Sequence, residues 1–160
     1  MREWANFLIA EVGASAALTG LIFVGVSINL AKILSVPILP DRALEALLLL
    51  LSALVVSSVL LIPGQSRMVI GSEVTALGSG IWLAISAINL RIARNILAEY
   101  RRETILMILV SQVAVIAYIV AGVLILSVGF FGMYLLVPAV LLSIVKANLD
   151  AWVLLVEINR

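Results

Sequence analysis

Lys146, Asp150 and Glu157 follow one another at spacings of four and seven in the last apolar stretch of the sequence. At about 100° per residue a helix gathers them within roughly 40° of arc, with Ser143 and Ala139 bordering the same face. An unpaired lysine near mid-membrane costs roughly 2.5–3.5 kcal/mol on insertion scales, so Lys146 requires a partner or a water-filled cavity. Asp150, one turn away, is the cheapest partner. Two kinds of chemistry follow: an ion pair packed inside a bundle, or a polar lining for the passage of ions or protons. Glu157 lies close enough to the interface to be solvated.

Glu11 and Glu73 each stand near the head of an apolar segment, one to two turns below its surface end. Desolvation at that depth favours a neutral carboxyl and makes each a candidate proton or cation site. The competing assignment is a first-turn carboxylate favoured by the helix dipole and reached by interfacial water. Glu11 and Asn29 are eighteen residues apart, five whole turns, and so share a face. Asn29 and Asn89 read as interhelical hydrogen-bond partners, worth about 0.6 kcal/mol each in membranes. Thr75, Ser79, Ser86 and Asn89 gather on one side of their helix as a packed polar seam.

Enzyme signatures are absent. With no His and no Cys, the usual zinc sites, His- or Cys-ligated haem, iron–sulfur clusters and thiol catalysis are excluded, and the sequence calls for no metal and no cofactor. No phosphate-cradling glycine loop, HExxH or nucleophile elbow occurs. A Ser–Lys dyad of Ser143 with Lys146, the basis of an intramembrane hydrolase, lacks the further positioning that such a pair needs. A net charge of +1 gives no field that would draw in nucleic acid.

The elements that must position these residues are membrane helices. The chain is 64% hydrophobic and 12% charged, with a mean hydropathy of +1.28. Five windows reach the roughly 20 apolar residues a spanning helix needs: about 7–33, 43–62, 67–92, 104–127 and 131–156. Runs this long and continuous lack the alternation of barrel strands. An all-α transmembrane bundle of about five spans, forming a single domain over residues 1–160, is therefore expected. Pro37 and Pro40 are expected to end the first helical region, with Asp41 as N-cap of the second helix. Pro63 to Ser66 is expected to turn the chain and cap the third. The connection from Arg91 to Glu103 is charged and wet, and Gly129–Gly132 marks a tight hairpin.

GLIFVGVSINL from Gly20 and GIWLAISAINL from Gly80 share Gly, Ile, Asn and Leu at matching positions. They suggest a tandem repeat of two-helix units in parallel, with the fifth helix added. Lys32, Arg42, Arg91, Arg94, Arg101, Arg102 and Arg160 fall on one side of a five-span bundle, and Arg2 and Arg67 on the other. The positive-inside rule then puts the N-terminus out and the C-terminus in the cytoplasm. Trp4 and Trp152 suit aromatic belts. Gly13/Ala17, Ala16/Gly20, Ala76/Gly80 and Ala139/Ser143/Ala147/Ala151 are small-xxx-small patterns that let helices approach closely, within the chain or between chains.

The opening EVGASAALTG of Glu11–Gly20, its continuation through Leu21-Ile22-Phe23-Val24 and Ser27-Ile28-Asn29-Leu30, the turn Pro63-Gly64-Gln65-Ser66, and the closing Ala151-Trp152-Val153-Leu154-Leu155-Val156-Glu157-Ile158 resemble a group of small bacterial membrane proteins. The similarity covers nearly the whole length. It implies a multi-pass protein of the bacterial cytoplasmic membrane and carries over no functional residue, since Lys146 and Asp150 depart from a more apolar pattern. The expected function is that of a non-enzymatic membrane protein acting through helix–helix contacts, as a homo-oligomer or an accessory subunit of another membrane protein. The alternative is a small oligomeric channel or carrier for ions or protons, lined by Lys146, Asp150 and Glu11.

Overall fold

A computed structural model describes residues 2–96 and 101–156. Glu157 and Arg160, and Glu99 of the charged connection, lie outside the described residues. The elements are α1 (Arg2–Ile28), α2 (Leu30–Leu34), α3 (Leu39–Leu60), α4 (Arg67–Asn95), α5 (Arg101–Ser127), a 3₁₀ turn (Phe130–Gly132) and α6 (Met133–Leu155). No strand occurs among the described residues. Among the described residues five helices are long and apolar enough to cross a membrane, and together they form an all-helical bundle compatible with a multi-pass membrane protein.

Local chemistry sets most boundaries. Ser66 has extended backbone and its hydroxyl accepts from Val69 N at 3.3 Å, capping α4. Gly129, at φ +97, makes the sharp reversal after α5 that a residue with a Cβ would resist. Two expectations fail. Pro40 does not stop a helix but sits in the first turn of α3, where its fixed φ suits the helix and its missing N–H costs nothing. Asp41 is accordingly inside that turn, with Ile38 at the N-cap, and its carboxylate pairs with Arg91 of α4 at 3.3 Å. The first span is also interrupted: at Asn29 the backbone leaves helical geometry (φ −98, ψ 13) and restarts as α2.

α3 is the central helix, touching α1, α4 and α6, while α5 packs between α4 and α6. The close α4–α5 hairpin rests on glycines. A Cβ added to Gly122 would collide with Thr75 Oγ1 and lie 2.6 Å from Thr75 N, and one added to Gly78 would lie 3.0 Å from Ile119 N. Ala139, Ser143, Ala147 and Ala151 are all buried in the α6 face. α1 is the least buried of the five spans, held mainly by α3.

Candidate functional site: a buried charge cluster

Three ionisable side chains meet in the bundle interior. Lys146 is 1% exposed, Asp150 2% and Glu45 2%. Lys146 Nζ donates to Asp150 Oδ2 one turn along α6 and lies 3.5 Å from Glu45 Oε2 of α3. Lys146 stands nine residues before the end of α6, about 14 Å at 1.5 Å per residue. Glu45 stands six residues into α3, so both helices bring their charges to the same level. Arg42, one turn before Glu45, acts electrostatically on Asp150 and donates from Nη2 to the buried Thr104 hydroxyl at 3.3 Å.

Sequence reasoning missed Glu45. It looks like an early-turn carboxylate behind Asp41, yet α3 starts at Leu39 and runs inward, so Glu45 is already buried. The available signal was the spacing from Asp41 to Glu45, a full turn that carries the second carboxylate past the interface.

Around the cluster the polar groups form a connected set. Asn89 Nδ2 of α4 donates to Ser111 Oγ of α5 at 3.0 Å, and Ser111 lies beside Glu45. Ser143, one turn before Lys146 on α6, pairs with the Tyr118 hydroxyl at 3.3 Å and donates to Ala139 O at 2.8 Å. Tyr118 is fully buried and lies within reach of Ser52, while Glu11 is near enough to act on it electrostatically.

The other predicted residues are dispersed. Glu11 is half-buried, and its Oε2 has no hydrogen-bond partner among the described residues. Glu73 is half-buried and accepts from Gln65 Nε2 at 2.6 Å, well away from the cluster near the start of α4. Ser86 joins Gln112 of α5, its Oγ accepting from Nε2 at 3.3 Å. Asn29 donates from Nδ2 to Gly25 O at 3.0 Å and Ser79 donates to Thr75 O at 2.8 Å, both within their own helices. Asn29 turns back because it sits at the helix break; Ser79 finds a carbonyl one turn away. The repeated Ile-Asn-Leu triplets thus end differently, Asn89 across helices and Asn29 on its own backbone. Among the described residues no group of three or more His, Cys, Asp or Glu side chains is arranged to hold a metal ion.

Chemically, the cluster sets two carboxylates against one ammonium, shielded from water, so an ion pair alone does not balance it. No protein family, curated protein or solved structure matches this chain.

Proposed function

We propose that the chain is a multi-pass protein of a bacterial cytoplasmic membrane, N-terminus outside, that works by presenting α1 to another membrane helix, as a homo-oligomer or as an accessory subunit. One observation carries this reading. Gly13 and Gly20, with Ala16 and Ala17, lie on the exposed face of α1, and a Cβ added to either glycine would meet nothing within 4 Å. Glycine costs about 1 kcal/mol relative to alanine in a helix. Inside the bundle that cost is offset by close backbone approach, as at Gly122; on α1 it is offset only when a second helix lies against it.

The chain contains no Cys, so single-cysteine variants report this face directly. Ala17→Cys in native membranes is expected to give a disulfide-linked dimer or a cross-link to one other protein on oxidation, and Gly20→Leu in the same chain to abolish it without loss of folded protein. A chain that stays uncross-linked under conditions that capture a known dimer sinks this reading.

A proton or monovalent-ion carrier is the second reading. It is favoured by the succession of polar side chains from Glu11 through Tyr118 and Ser143 to Lys146 and Glu45. In liposomes it calls for flux above empty vesicles that falls at least about tenfold in Tyr118→Phe, the size expected when one donor in a proton relay is removed. Flux equal to that of empty vesicles, with the protein inserted and folded, rejects it.

A further inference from the structure

The α1 contact leaves the Glu45 side of the charge cluster without a role. Glu45 Oε2 faces Lys146, but Glu45 Oε1 is buried and has no hydrogen-bond partner among the described residues, and the same is true of Asn89 Oδ1. Both belong to one polar knot. Asn89 donates to Ser111, Ser111 reaches towards Glu45, and the Ser111 hydroxyl proton is directed to Ile108 O at 2.9 Å. The knot therefore holds two bare acceptor oxygens on side chains at least nine-tenths buried. Buried acceptors left unmatched lose their hydration with nothing in exchange. What is missing is a donor.

The charges of every neighbouring element agree. α6 contributes Lys146 and Asp150, already paired. α4 contributes Arg91, which is committed to Asp41. Arg42, on the same helix as Glu45, is turned to Thr104 and attracts Asp150. α5 contributes only the neutral Ser111 at this level, α1 carries no charged residue after Glu11, and Lys32 of α2 is exposed at the surface. Lys146 donates to Asp150 and Arg42 reaches the cluster only electrostatically, so Glu45 Oε1 is the carboxylate oxygen left without a donor. A metal cation does not fit: hard cations take about six or more oxygen ligands, and the knot offers one carboxylate oxygen and one amide oxygen. A proton requires no ligand shell and converts a bare acceptor into a donor.

We propose that Glu45 is a proton-binding site: its carboxylate takes up one proton from the Arg42 end of the bundle, and the resulting carboxylic acid supplies the donor that the Ser111–Asn89 knot lacks. Uptake leaves the Lys146–Asp150 pair balanced and joins α3 to α4 and α5 through a hydrogen bond absent from the ionised form. The site stands independently of the α1 contact, because its residues face the interior and not that surface.

Infrared difference spectra of the full chain in phosphatidylcholine vesicles, recorded while the bulk pH is changed, test this. The expected result is a neutral-carboxyl C=O band in the wild type that shifts in D₂O. It should be missing from Glu45→Gln and kept in Glu11→Gln. Glu45→Gln should also fold with a thermal midpoint close to that of the wild type, since its amide supplies an N–H where the acid supplies O–H. A band that survives Glu45→Gln, or no such band in the wild type at any pH where the protein is folded, overturns the assignment. Should Glu45→Gln fail to fold, Glu45→Asp decides: a displaced band supports the site, an unmoved one refutes it.

Discussion

Lys146→Leu is expected to lose about 3–5 kcal/mol of bundle stability, the usual consequence of removing one partner from a buried ion pair and leaving the other charge behind. The loss arises because Asp150 then keeps its burial but not its hydrogen-bonded cation, and Glu45 loses the attraction of the ammonium 3.5 Å away. The lysine chain itself is apolar over most of its length, so the leucine fills much of the same space and the packing change is small. Replacing all three groups at once, as Glu45→Leu, Lys146→Met and Asp150→Leu, is expected to recover most of that stability, because no charge remains to be desolvated. Unfolding in mixed micelles with increasing dodecyl sulfate, followed by circular dichroism, ranks the three proteins. If the single variant is as stable as the wild type, the cluster is more open to water than its burial implies.

Gly122→Leu is expected to separate α4 from α5 and to cost at least about 1–3 kcal/mol, the range for overpacking a close-fitted core. The argument is steric. A Cβ at Gly122 would lie 2.6 Å from the backbone nitrogen of Thr75, and backbone cannot swing aside as a flexible side-chain end does. Thr75 is itself fixed by its hydroxyl, which donates to Gly71 O at 2.7 Å. Gly80→Leu is the matched control, since nothing lies within 4 Å of its added Cβ, and it should be neutral or slightly stabilising through helix propensity. The same dodecyl sulfate titration applied to both separates them; equal effects would contradict the α4–α5 packing.

The helices were legible in the sequence because lipid removes the ambiguity that short apolar runs have in soluble proteins: only a helix satisfies its backbone over 20 apolar residues. The Ser66 cap and the Gly129 turn were legible for local reasons, each depending on the residue's own backbone. What stayed hidden depended on partners far along the chain. Glu45 and Lys146 are 101 positions apart, so no spacing announces their contact. The Lys146–Asp150 pair, four apart on one helix, did announce itself. The small-residue patterns show the same division. Ala139, Ser143, Ala147 and Ala151 fall inside the bundle and Gly13 and Gly20 outside, although the motif looks alike in both places. Gly78 and Gly122, two of the glycines that bring α4 onto α5, belong to no such pattern, because what matters there is the residue facing each one.

The distance in sequence between Glu45 and Lys146 also sets an order of events during biosynthesis. At about 5–20 residues per second, the ribosome needs about 5–20 s to make the 101 residues that separate the carboxylate from its ammonium. Through that interval the acidic side chain of α3 exists without the ammonium that faces it in the folded bundle. α6 is therefore the helix that closes the charge cluster: until it arrives, a nascent chain carries in α3 a carboxyl group without its facing ammonium.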